Sequence, residues 1–183
     1  MSSHKRIENG MNRRQVFTAS ALLALLPLGG CFRPLYASRT LPGGEDLLEV
    51  MRAIDVTASG DRTGQFFRNE LLFLLRGGQA GAERPKYRLE HRITQRVSAI
   101  SVQVFSDVPQ SFILNLSIVY VLWDLDSNRI VLQGKSFSEA SFTFSNQRFA
   151  NSRAQIDAQE RAAKAIADDV RIRLASFLSD KST

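Results

Sequence analysis

The 183-residue chain has one cysteine, Cys31, and two histidines. A single thiol cannot form a disulfide within the chain, so packing alone must stabilise the fold. Beyond residue 30 the only histidine is His91. Metal centres draw on several His, Cys or carboxylate groups at short spacing, and none is present in that pattern. The chain also lacks a Gly-rich phosphate loop and a Gly-x-Ser-x-Gly elbow. His91 sits on the apolar parity of a strand pattern and reads as a packed residue. The carboxylates of Asp168-Asp169 point in different directions on a helix and read as a solvated face. The residues therefore assign no catalytic group, no metal and no cofactor. Beyond residue 30 no apolar run is long enough to cross a bilayer as a helix, and there is neither an internal repeat nor a low-complexity segment.

The N-terminus holds a short apolar run instead. Arg13 and Arg14 precede an uncharged stretch from Val16 to Leu28, followed by Gly29, Gly30 and Cys31. That run has the length of a signal-peptide core and is too short to span a membrane. Leu28-Gly29-Gly30-Cys31 has the form of a bacterial lipobox: a branched apolar residue, two small residues for the peptidase, and a thiol to take diacylglycerol. Residues 1–30 are thus expected to be a lipoprotein signal peptide, with Met11 as an alternative start. The twin arginines allow twin-arginine export, but the general secretory route is preferred because two arginines are common in any such n-region. Each buried acyl methylene contributes about 0.8 kcal/mol, so several chains on Cys31 would anchor the protein durably.

The basic balance changes on cleavage. The whole chain carries a net charge of +6, and removing Lys5, Arg6, Arg13, Arg14 and Glu8 leaves 20 basic against 17 acidic residues, or +3. The high overall isoelectric point owes much to the leader, and no nucleic-acid partner is inferred.

Residues 31–46, with Pro34, Pro42, Gly43 and Gly44, read as a tether, and 47–183 as one domain. Val50, Arg52, Ile54 and Val56 suggest a first strand over 49–58. Phe66, Phe67, Leu71, Leu74 and Leu75 give helical spacing over 64–76, with Asp61 or Thr63 as cap and Gly77-Gly78 as stop. Tyr87, Leu89, His91, Ile93 and Val97 alternate with Arg88, Glu90, Arg92, Thr94 and Arg96, marking a strand with one wet face. Ile100, Val102 and Val104 continue on the other parity, which predicts a bulge or a break near Ser98. Ser106 to Pro109 reads as a turn. Residues 112–124 form a strand that is apolar on both faces from Ile118 to Trp123, hence central or covered twice. Residues 130–144 form a fourth strand, and 152–178 an amphipathic helix. The order β-α-β-β-β-α predicts an α+β two-layer sandwich, two helices on a mostly antiparallel four-stranded sheet.

The stretch Cys31-Phe32-Arg33-Pro34-Leu35-Tyr36 resembles the start of the LPS-assembly lipoprotein LptE family. There a cysteine precedes a Gly-Phe-x-Pro-Leu-Tyr-like sequence; here the glycine is missing. Phe67-Arg68-Asn69-Glu70-Leu71, Tyr87-Arg88-Leu89, Tyr120-Val121-Leu122-Trp123-Asp124 and the helix from Asp157 to Val170 extend the resemblance over essentially all of residues 31–183. The resemblance implies the same fold and a non-catalytic role at the Gram-negative outer membrane. It implies a lipid-anchored plug and assembly partner of the β-barrel LptD, helping lipopolysaccharide reach the outer leaflet. Phe32, in place of aspartate, fits sorting to the outer membrane. Arg76, Arg84, Lys86, Arg88, Arg92 and Arg96 outnumber Glu83 and Glu90 in their stretch, and arginine forks suit the phosphates of lipid A. Arg88, Arg92 and Arg96 are therefore the candidate contacts with the glycolipid or with acidic barrel groups; an ordinary solvated strand face has the same pattern. The competing expectation is an auxiliary lipid-binding lipoprotein of a phospholipid-transport ABC system, against which the Phe-Arg-Pro-Leu-Tyr stretch weighs.

Overall fold

A computed structural model describes residues 44–100 and 110–180. The leader 1–30, the lipobox Leu28, Gly29, Gly30 and Cys31, nearly all of the tether, Val102, Val104 and the turn from Ser106 to Pro109 lie outside the described residues.

The first element is a short helix, α1 (Leu47–Arg52), where the alternation had suggested a strand. The Asp46 carboxylate accepts the Leu48 N–H at 3.2 Å and caps it. Leu47, Val50 and Met51, spaced one helical turn apart, all face inward. The strand that follows, β1 (Ile54–Val56), is only three residues long. Helix α2 (Arg62–Arg76) begins at Asp61, whose carboxylate accepts the Gly64 N–H at 3.2 Å. It ends at Gly77, which adopts the left-handed region at φ 60° and donates to the Phe73 carbonyl. Of the two expected caps, Asp61 fills the role; Thr63 is buried within the first turn.

Three long strands follow: β2 (Tyr87–Ala99), β3 (Gln110–Asp124) and β4 (Arg129–Phe144). Helix α3 (Arg148–Asp180) closes the described chain. The sheet order is β1-β2-β3-β4, with β1 parallel to β2 and the other pairs antiparallel. The α+β sandwich is as expected, with α1 added.

Two local expectations leave alternatives open. Strand β2 stays in register with β3 through Ser98↔Ile113 and Ala99↔Phe112 and ends there, so of the two alternatives near Ser98 the break holds and the bulge does not. The irregularity falls instead between Leu122 and Trp123, opposite β4. The switch in apolar parity beyond Val97 reflects a strand end that is wet on both sides; Val97 is 42% and Ile100 55% exposed. Strand β3 is central, but the helices cover one of its faces only. Leu114, Leu116, Ile118, Tyr120 and Leu122 point into the core, while Val119 on the opposite face is 53% exposed.

The core lies between that inner face and the helices. Phe67, Leu71 and Leu75 come from α2; Ile166, Val170 and Leu174 come from α3. Ala158, Ala162, Ala163 and Ala167 are fully buried on α3 and let its backbone approach closely. Each buried Leu or Ile contributes roughly 1.5–3 kcal/mol of apolar transfer.

Candidate functional site

Alternation along β2 sends Tyr87, Leu89, His91 and Ile93 toward the helices and Arg88, Glu90, Arg92 and Thr94 away from them. Arg88, Arg92 and Arg96 are all exposed on the open face, four residues apart, or about 13 Å between neighbours. Among the described residues none of the three forms an ion pair or a side-chain hydrogen bond.

Register supplies their neighbours. Arg88 lies opposite Trp123, Arg92 opposite Val119, and Arg96 opposite Asn115. One strand further, Trp123 meets Ile130, Val119 meets Lys135, Ser117 meets Phe137, and Asn115 meets Glu139. The open face thus carries Arg88, Arg92 and Arg96 on β2 with Glu90 between the first two, an apolar column of Val119, Val121 and Trp123 on β3, and a mixed column on β4. Phe137 is 74% exposed there. The Trp123 indole N–H is buried and has no acceptor among the described residues. Cations beside apolar side chains on a flat, uncovered sheet can receive a ligand that is anionic at one end and apolar at the other.

The other basic residues of the stretch go elsewhere. Lys86 pairs with Glu45. Arg84 and Lys86 line a separate groove of about 460 Å³ beside α1 together with Glu45, Asp46 and Glu49. Those carboxylates offset its positive charge, whereas the outward side of β2 holds three arginines against the single carboxylate of Glu90.

Inside the sandwich, His91 packs edge-on against Phe67, with ring centroids 5.0 Å apart. Neither imidazole nitrogen has a partner among the described residues. Burial pushes its pKa below the usual histidine value, and Arg68 acts in the same direction while Asp61 opposes both. It is the packed histidine that its parity suggested. The reading of Asp168-Asp169 as a solvated pair needs correction at Asp169. Its carboxylate accepts the Ser136 hydroxyl at 2.6 Å and the Arg173 guanidinium at 3.0 Å, tying α3 to β4. Sequence reasoning missed that tie, because Ser136 and Asp169 are brought together only by the packing of α3 on β4.

Among curated proteins none matches the chain. A protein of Caulobacter crescentus described as a lipoprotein has a similar crystal structure, with TM-score 0.58 and 25% identity over 73% of this chain and 96% of that one. A minor lipoprotein of Acinetobacter baumannii shares the fold at TM-score 0.51 and 15% identity, covering 67% of this chain and 88% of its own. The rare lipoprotein B of Shewanella oneidensis does so at TM-score 0.53 and 11% identity, covering 71% and 97%. The sequence profile of LptE, lipopolysaccharide-assembly, matches residues 51–174, from the end of α1 to the last third of α3. The chain belongs to the LptE lipopolysaccharide-assembly family.

Proposed function

We propose that this protein is a lipid-anchored outer-membrane lipoprotein, acylated on Cys31, that plugs and assembles the LptD β-barrel and assists insertion of lipopolysaccharide into the outer leaflet. The observation that carries the reading is the open sheet face, where Arg88, Arg92 and Arg96 run beside Val119, Val121 and Trp123. Lipid A is an amphiphile with phosphates at its head, and that face offers forked cations next to apolar surface. A plug also needs a polar exterior for a wet barrel lumen, and the outer sides of β2, α2 and α3 are charged. The role is non-catalytic, in keeping with the family. Phe32 next to the lipidated cysteine favours release to the outer membrane.

The test is affinity capture of tagged full-length protein from detergent-solubilised outer membranes, with mass spectrometry of what comes with it. A large β-barrel at one-to-one stoichiometry supports the plug. An inner-membrane permease complex would replace it with the phospholipid-transport reading, and recovery of neither partner would reject the barrel partnership. Mass analysis of the same sample tests the anchor: the mature N-terminus should be Cys31 carrying diacylglycerol.

A further inference from the structure

The sheet has a long bare edge. Strand β4 pairs with β3 on one side through Gln110↔Phe144 to Asp124↔Arg129 and, among the described residues, has no strand on the other. Arg161 of α3 reaches round that edge and donates to the Ser141 carbonyl at 2.9 Å. The carbonyl of Ser141 therefore points away from β3. Backbone groups of successive residues alternate in direction along a strand. Lys135, Phe137 and Glu139, at even offsets from Ser141, hence also turn their N–H and C=O groups to the free edge. Among the described residues these groups meet no donor or acceptor.

Natural sheets guard such edges with charge, proline or bulges. Here the guard has a particular symmetry. Phe137 is 74% exposed, with Lys135 two residues before it and Glu139 two residues after, all on the open face. Lys135 and Glu139 lie about 13 Å apart along the strand, too far to pair with each other. Neither takes part in an ion pair among the described residues. If a second β4 lies antiparallel with its two-fold axis at Phe137, each Lys135 stands opposite Glu139 of the second copy, and the two Phe137 rings meet at the centre. Opposite charges and aromatic pairs are the favourable cross-strand combinations. Ser136 and Ser138, small residues on the helix side, keep that side of the seam thin.

We infer that β4 is a self-recognition edge: two copies pair antiparallel over residues 135–139, with Phe137 on the axis and two reciprocal Lys135–Glu139 bridges, joining two four-stranded sheets into one. The capped Ser141 carbonyl marks the end of the paired segment. Five residues per copy make a small seam, so the pairing is reversible and concentration-dependent. It concerns the lipoprotein alone and goes beyond its proposed role at the barrel.

Register-specific cross-linking tests it, on full-length chains purified in detergent. Residues 135 and 139 of different copies would face each other at about 5.5 Å between Cα atoms, within disulfide reach, whereas each lies about 13 Å from its own counterpart. A mixture of K135C and E139C chains should form a heterodimeric disulfide under mild oxidation, while each variant alone should form several-fold less. Equal cross-linking in the mixture and in either variant alone, or none in the mixture, would overturn the pairing. The parent chain, with Cys31 as its sole thiol, is the baseline; a disulfide there would show an unacylated Cys31 and count against the anchor, not the seam. Sedimentation of chains without added cysteines is a second readout. K135E and E139K should each lose the dimer, and the K135E/E139K exchange should regain it. Identical sedimentation of all three would refute the bridges.

Discussion

Gly134 lies beneath the ring of Tyr120, its cross-strand partner on β3. A β-carbon built there would stand 2.5 Å from both the Cζ and the hydroxyl of Tyr120. The tyrosine is 2% exposed and its neighbours are core residues, so the ring has little room to retreat. Gly134→Ala should therefore overpack the inner face and cost about 1–3 kcal/mol. Thermal unfolding followed by circular dichroism should fall by roughly 2–4 °C per kcal/mol lost. An unchanged midpoint would mean that the ring moves freely.

The Ser136 hydroxyl and the Asp169 carboxylate form a polar contact that fixes α3 on β4. Ser136 is buried, and its 2.6 Å bond goes to a charged acceptor. Ser136→Ala should cost about 1.5–3 kcal/mol. Chemical denaturation measures it, and pairing the change with Asp169→Asn in a double-mutant cycle should show strong non-additivity. Additive losses would show that the two groups do not act on each other.

His91 makes folding sensitive to mild acid. Burial holds its pKa below the ordinary histidine value of 6.5 in the folded chain. Between the two values the unfolded chain binds a proton that the folded chain does not, so stability rises with pH there. The full contribution is present above about pH 6.5 and is lost as the pH falls through the window down to the folded pKa. Asp61 adds to the acid side lower down. The Ser59 hydroxyl bound to its carboxylate holds its pKa below the usual aspartate value, so that contribution is lost only as the pH falls through the carboxylate range. Urea midpoints measured between pH 7.5 and 5.5 should decline for the parent chain and stay nearly level for His91→Phe. Parallel declines in both would remove His91 as the cause.

Much of this fold could be read in the sequence because its long elements carry clean periods. The buried stripe Ala163, Ile166, Ala167, Val170 and Leu174 announces α3, and the alternation Arg88 to Arg96 announces β2. Helix α1 was hidden because Val50, Arg52, Ile54 and Val56 alternate like a strand while Leu47, Val50 and Met51 also satisfy a helical turn. Only packing against the core chooses between those periods over so few residues. Strand β3 was ambiguous for a different reason. Apolar side chains on both faces do not say which face will be covered, and here the face of Val119, Val121 and Trp123 is left open. The arginine column was legible by parity alone. Its partners across the sheet, Trp123, Val119 and Lys135, depend on register, which a bulge near Trp123 shifts by one residue relative to β4.

That register makes the open face testable with the chain's own probe. Trp123 is the sole tryptophan and stands opposite Arg88, so its fluorescence should shift to the blue when an amphiphile covers the face. Changing Arg88, Arg92 and Arg96 together to serine removes the cations without touching the core. Exposed substitutions of this kind are usually within about 0.5 kcal/mol each in stability, so thermal unfolding should be nearly unchanged. Exposed charge contacts contribute up to about 1 kcal/mol each. Loss of three should therefore weaken lipopolysaccharide binding by roughly tenfold to a hundredfold. Titration of purified protein with lipopolysaccharide, read by Trp123 emission, gives both affinities. If the serine variant binds as tightly as the parent, the arginine column is a solvated strand face and the glycolipid must be met elsewhere.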